Sequence, residues 1–203
     1  MGRASAQPRT PSSSVVLQGH GAGNGVGLGQ WGAYGYGTMD HDSWQWIVEH
    51  FYTGTSLEPV STSVDGESID VDLSELDTAG STKLQANRSN AELIVNGVKE
   101  GRDYTVTHDG KETTVKTTAG DIEVSLPGIG WRRYFGYVEV QPSGHTWNVV
   151  PLEEYLQGVI PAESPASWGS ASGGEAALQA QAVAARAYAL AYVQADGDIC
   201  DTD

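Results

Sequence analysis

The succession Pro161-Ala162-Glu163 is the part of this sequence best suited to proton transfer. Pro161 is expected to stop a helix that begins at Pro151, where a missing N–H costs nothing. Leu152, Tyr155, Leu156 and Val159 give that helix one apolar face at i, i+3, i+4 and i+7. Ala162, Glu163 and Ser164 would then lie in the turn beyond it. A second helix is expected from Glu175 to about Val193, with capping-box spacing in Ser172-Gly-Gly-Glu175. It holds nine alanines and neither Gly nor Pro, and ~19 residues at ~1.5 Å rise span roughly 28 Å. Its small side chains imply a central, buried helix. Only Gln179, Gln181 and Arg186 break the apolar run, and Gln181 shares a face with Tyr188. A lone carboxylate at a helix exit, beside a buried helix carrying a few polar groups, is one way to assemble an acid/base site. On residue type alone, an exposed loop carboxylate is the usual reading of Glu163.

The elements that must position these residues begin near the start of the chain. Residues 1–14 are rich in Ser, Pro and Arg and read as a disordered tail. From Gly19 to Gly37 glycine recurs at almost every second position, which means positive φ or a close approach of the backbone to something. Gly27-Leu-Gly-Gln-Trp-Gly32 satisfies GxGxxG, but a lone match is weak evidence for a dinucleotide, and no helix is expected to open there. A helix over 42–52 follows, with Trp44, Ile47, Val48 and Phe51 on its apolar side and Asp42 or Ser43 as cap. Of Trp44 and Trp46, both able to stack on a sugar ring, Trp44 is the one suited to core packing.

Residues 61–147 read as β-structure: runs at 69–73, 91–95, 104–107, 112–117, 122–126, 134–140 and 145–150 alternate or are rich in β-branched residues. Asn96-Gly97 and Asp109-Gly110 are hairpin signals. Short strands on hairpins, with the helices grouped elsewhere, indicate an α+β fold: antiparallel strands, an N-terminal helix and a long C-terminal helix. The organisation expected is a tail at 1–14, a Gly-rich stretch plus helix at 15–60, and a β-rich and helical region at 61–203. Asp70, Asp72, Glu92 and Asp121 are read as a solvated sheet face. His50, His108 and His145 lack metal-ligand spacing.

The 203 residues allow one substantial core. A net charge of −15 excludes nucleic acid and anionic membrane as partners that need basic surface. No apolar run is long enough to cross a membrane, so no transmembrane segment is expected, and the N-terminus lacks the apolar stretch of a signal peptide. The one cysteine, Cys200, is left to an external partner, a metal or no role at all. The acidic end DGDICDTD lacks the spacing of a calcium loop. No cofactor and no metal site are expected.

Two stretches carry a resemblance. PLEEYLQGVIPAESPASW (151–168) followed by EAALQAQAVAARAYAL (175–190) resembles the SpoIID/LytB family, the stage II sporulation protein D type of peptidoglycan-cleaving domain. Gly23-Asn-Gly-Val-Gly-Leu-Gly-Gln-Trp-Gly-Ala33 is similar to that family's GHGVGxSQxGA signature, with Asn24 in place of its His and Gly29 in place of its Ser. His20, a little earlier, is the available substitute for that His. The resemblance implies that Glu163, in the family's "PAE" turn, is the catalytic acid/base of a lytic transglycosylase. Ser164 stands where the family more often has Met. Gln181, Arg186, Tyr188, Trp168, Gln30, Asn24 and His20 are then the candidate substrate-binding residues. Arg186 could instead be a structural ion-pair partner, and Trp168 either a sugar platform or a packing residue. The apolar neighbours Pro161, Ala162, Pro165 and Trp168, with the long helix, are expected to wall off water from Glu163.

The implied partners are peptidoglycan glycan strands and, from the LytB side, an amidase or other wall-remodelling protein; the implied location is extracellular or cell-wall associated. Anionic wall polymers would be repelled by this acidic surface, so binding should rest on local contacts. Because relatives continue beyond the long helix, the domain is expected to be incomplete at its C-terminus. The alternative function is a non-catalytic glycan-binding or amidase-enhancing module.

Overall fold

In the computed structural model, which describes residues 26–59, 67–194 and 199–200, alternating apolar positions assemble two sheets. The strands in chain order are β1 (Ser68–Asp72), β2 (Ser81–Ala86), β3 (Leu93–Val95), β4 (Val98–Gly101), β5 (Asp103–Thr107), β6 (Thr113–Thr117), β7 (Ile122–Leu126), β8 (Gly130–Tyr134), β9 (Tyr137–Val140), β10 (Thr146–Pro151) and β11 (Ile199–Cys200). Seven form one sheet in the order β11-β1-β10-β9-β6-β3-β4, and four form the other in the order β5-β2-β7-β8. Every pairing is antiparallel except β1 with β11. Leu84, Val106, Ile122 and Val124 from the small sheet meet Leu93, Val115, Val138 and Val140 from the large one in a single buried cluster. The expected α+β class holds.

Asn96-Gly97 is the expected hairpin turn: both residues have positive φ, 47° and 86°, the geometry that matches strand twist in a two-residue connection. Asp109-Gly110 is a correction. β5 pairs with β2, whereas β6 pairs with β3 and β9, so this turn carries the chain from one sheet to the other. The turn chemistry was read correctly and the partner was not, because turn residues fix local geometry and say nothing about which sheet follows. β2, β4 and β8 were not anticipated. β2 buries Thr82, Leu84 and Ala86, a face too polar and small to stand out, and Gly130–Arg133 in β8 have no buried face at all.

Four α-helices complete the described structure: α1 (Gln30–Gly35), continued by a π-helical turn over Tyr36–Asp40, α2 (Trp44–Phe51), α3 (Leu152–Glu163) and α4 (Gly174–Gln194). α2 starts as expected, with the Ser43 hydroxyl accepting the Trp46 N–H at 3.3 Å. Three helix readings need correction. The Gly-rich stretch does open a helix, because Gly29 and Gly32 lie close enough to the Phe51 ring that a Cβ would come within 3.0 and 3.1 Å of it. α3 begins at Leu152, with Pro151 as the extended N-cap residue at the end of β10. Pro161 does not stop α3 but sits in its last turn. There it removes one N–H, and Ser164 N–H still closes the helix on the Ile160 carbonyl at 2.9 Å. Glu163 is therefore the final helical residue.

α4 is central but only partly buried. Ala177, Ala180, Gln181 and Ala189 are buried, while Ala187 and Tyr188 are exposed. One side packs with Ala33, Ile47, Val48 and Trp168, the other with Leu152, Leu156, Val150 and Ile199. Its start is fastened by backbone on backbone. A Cβ on Gly173 would lie 2.0 Å from the Gly37 carbonyl oxygen, and one on Gly37 would lie 2.4 Å from that of Gly173. Among the described residues no helix is long and apolar enough to cross a membrane.

Candidate functional site: a cleft at the end of the third helix

β10 leads through Pro151 directly into α3, so the sheet fixes the direction in which α3 delivers Glu163. Glu163 is exposed, and Pro161, Ala162 and Pro165 beside it are exposed too. Among the described residues the expected dry enclosure is absent, because these residues cap a helix end at the surface and Trp168 turns away into the helical core. What Glu163 does have is a partner from the other end of the chain. Gln30 Nε2, at the first position of α1, donates to Glu163 Oε2 at 2.7 Å. The two motifs that the sequence analysis picked out separately thus meet in one hydrogen bond.

Both residues line a cleft of about 790 Å³. α3 contributes Glu154, Tyr155, Gly158, Val159, Ala162 and Glu163, and α4 contributes Gln181, Ala184, Ala185 and Tyr188. The opposite wall comes from Leu126, Ile129, Arg132, Arg133, Tyr134 and Phe135 on β7, β8 and the segments that flank them. The small residues Gly158, Ala162, Ala184 and Ala185 leave the space between the helices open. Gln181 is 8% exposed, and its Oε1 has no hydrogen-bond partner among the described residues. A desolvated acceptor left unpaired costs about 1–3 kcal/mol. An N–H donor of a bound molecule would remove that penalty.

Of the candidate residues, then, Glu163, Gln30, Gln181 and Tyr188 share the cleft. Arg186 does not line it: its Nη2 bridges both carboxylate oxygens of Glu153, clamping α4 to the first turn of α3. Trp168 is 6% exposed and lies against Tyr34, with ring centres 4.5 Å apart, and against Trp31 at 5.1 Å. It is a packing residue here, not an open platform. Asn24 and His20 lie outside the described residues, as do the tail at 1–14 and most of the acidic end.

Several cleft residues were missed. Glu154 was not singled out, yet it lines the cleft together with Glu75. Arg132-Arg133 is the one adjacent pair of arginines in a strongly acidic chain, and that was a legible signal. The carboxylates read as a solvated sheet face are largely engaged: Glu92 with Lys99 at 2.8 Å, Asp121 with Arg133 at 3.3 Å, and Asp72 with His145 at 3.8 Å. Asp72, Asp77 and His145 bring three ligand-type atoms within 4.8 Å of one another, with His145 Nδ1 lying 3.1 Å from Asp77 Oδ1.

No curated protein and no solved structure matches this chain. Residues 141–203, which run from the end of β9 through β10, α3 and α4, match the family model SpoIID, described as stage II sporulation protein. The match covers the segment that carries Glu163 and Gln181, and that segment is similar to the SpoIID family.

Proposed function

We propose that this chain cleaves the glycan strands of peptidoglycan as a lytic transglycosylase, with Glu163 as its acid and base. The observation that carries the reading is the Gln30–Glu163 hydrogen bond at the mouth of the cleft. It aims one carboxyl oxygen and leaves the other free to face a substrate. In the first step the protonated Glu163 carboxyl gives its proton to the glycosidic oxygen as the bond from that oxygen to the anomeric carbon breaks. In the second, the 6-hydroxyl of the same muramic acid closes on the anomeric carbon, and its proton returns to the Glu163 carboxylate. No water is consumed, and the product ends in a 1,6-anhydro sugar. Gln181, with its unpaired acceptor, suits the N–H of an acetamido group, and Tyr188, 47% exposed, offers a ring face to a sugar.

A second reading rests on the exposure of Glu163. Among the described residues nothing encloses its carboxyl group, and that exposure suits a glycan-binding or amidase-enhancing module. Incubation with purified, stem-peptide-free glycan strands, followed by mass spectrometry of the ends, separates the two. Anhydro ends support the transglycosylase. New reducing ends mean hydrolysis, with Glu154 or Glu75 as the second carboxylate of a two-carboxylate mechanism. Binding without new ends means a module.

A further inference from the structure

The cleft has an electrostatic polarity that its acid does not explain. α3 presents Glu154 and Glu163 and Glu75 lies on the lining too, while the cationic side chains that line it among the described residues, Arg132 and Arg133, are both on β8. β8 is the edge of the small sheet, where charge guards against pairing with another strand, so the placement of the two arginines in the cleft and not their charge alone is the informative feature. The two arginines are not equivalent. Arg133 Nε is held by Asp121 at 3.3 Å, whereas the Arg132 guanidinium makes only a 3.5 Å contact with the adjacent Trp131 carbonyl and has no carboxylate partner among the described residues.

The strand bearing them is fixed to the same element that aims Glu163. A Cβ on Gly136 would lie 2.2 Å from the Val149 carbonyl oxygen, so the segment after β8 is pressed onto β10. Asn148, in β10 and 4% exposed, donates from Nδ2 to the carbonyls of Phe135 at 2.7 Å and Tyr137 at 3.2 Å. The segment that follows the arginines and the helix that ends in Glu163 are thus both attached to β10, which favours a fixed spacing between the two groups and lowers the ordering cost of binding a ligand between them.

We infer that Arg132 is a specificity-determining residue that takes a carboxylate of the substrate across the cleft from Glu163; this rests on the proposed glycan-cleaving function. A planar guanidinium without an acidic partner is suited to bidentate carboxylate binding. In a chain of net charge −15, such a contact is what lets an anionic strand settle at all. The carboxylate has two sources: the lactyl group of muramic acid once its peptide is removed, or the acidic groups of the stem peptide itself.

The test measures binding in a Glu163→Gln background, so that turnover does not intrude. The probes are a neutral β-1,4-linked N-acetylglucosamine tetramer, a muramic-acid-containing tetramer with free lactyl carboxylates, the same tetramer with those carboxylates amidated, and one bearing stem peptides. A carboxylate-bearing strand is expected to bind roughly tenfold more tightly than both neutral ones. Arg132→Gln should remove that preference, changing neutral-strand affinity less than twofold, and Arg132→Lys should keep part of it. Whichever charged probe loses its advantage in Arg132→Gln identifies the carboxylate source. Equal affinity for charged and neutral strands, no binding of any strand, or a preference that survives Arg132→Gln in a protein with unchanged circular dichroism overturns the inference. Cleavage by the wild-type protein without a charge preference would defeat this inference alone. A charge preference without cleavage would defeat the transglycosylase and leave the arginine in place.

Discussion

Between the sheets, contact is made by large aliphatic side chains such as Leu84, Ile122 and Val138, each no more than 1% exposed. At the helical end large side chains such as Ile47 and Trp168 are accompanied by contact of backbone on backbone, with Gly37 on Gly173 and Gly174 on the Trp168 carbonyl. The sandwich buries area, the main favourable term in folding. The helical end keeps Ala and Gly where bulk would fill the cleft, and Gln181 Oε1 there has no hydrogen-bond partner among the described residues. The proposed acid lies at the helical end and the large aliphatic core in the sandwich, and β10 is the strand that joins the two regions.

The largest effect expected from breaking that division is on rate. Glu163→Gln keeps the shape and the contact with Gln30 but can neither give nor take a proton. Cleavage of glycan strands should fall by roughly 10²–10⁴-fold, the range of a positioned general acid. Because Glu163 is exposed, the melting temperature should hardly move. End-group analysis alongside thermal melts measures both, and near-normal cleavage by the variant would reject Glu163 as the acid.

Next in size are two substitutions of similar destabilisation and opposite consequence. Leu84→Ala removes a buried side chain from the sandwich and should cost about 2–5 kcal/mol, while cleavage well below the new melting point stays as it was. Gly173→Ala meets both a φ of 81° and the Gly37 carbonyl at 2.0 Å. It should cost more than the ~1 kcal/mol typical of a Gly→Ala change at positive φ, and it should also lower activity by displacing α1 and with it Gln30. Gly80→Ala, with a φ of 68° and open space around it, is the control for backbone strain alone. If Gly173→Ala destabilises no more than Gly80→Ala, the interlock of the helical end is not what holds it.

A smaller effect isolates the bridge between the two motifs. Gln30→Ala removes the donor to Glu163 and nothing from the core. We expect roughly a tenfold loss in kcat, about the value of one hydrogen bond, with stability changed by under about 0.5 kcal/mol. A fall in activity matched by an equal fall in stability would mark Gln30 as structural.

How much of this was legible in the sequence differs between the same two regions. Strand positions with alternating large residues, such as Ile122–Leu126, were plain because period two and bulk coincide. β2 was hidden because its buried face includes Thr82, whose hydroxyl is satisfied by Thr146 and His108 only after folding. Glu163 and the long helix stood out by motif and composition. Its meeting with Gln30, 133 residues away in sequence, could not be read, because it depends on two glycines approaching closely. Arg186 and Trp168 looked like site residues because a polar or aromatic side chain near an acid has the same sequence signature whether it faces a cleft or a core.

The smallest effect is a pH dependence that belongs to the sandwich and not to the site. Glu139 on β9 is pushed above its ordinary carboxylate range, first by burial and then by the negative charges of Glu112 and Asp70; a hydrogen bond from Gln141 Nε2 only partly offsets this. Tyr137, two residues away on the same face, is raised by the same burial and by Glu139 and Asp70, while Lys116 lies 4.6 Å over its ring. A carboxyl raised on folding binds its proton more tightly in the native state than in the unfolded chain. Stability therefore falls as pH rises from the ordinary glutamate range through the higher native value, and the full penalty is present at neutral pH. Glu139→Gln is neutral at every pH and keeps the hydrogen-bonding shape. It should melt slightly higher than the wild type at pH 7, and the gap should close as the pH is lowered through the carboxylate range. Thermal melts of the two proteins in matched buffers from pH 7 downward measure that convergence. A gap that is constant with pH would mean that Glu139 acts through packing, and a gap of the opposite sign would mean that its contact with Gln141 outweighs the burial of its charge.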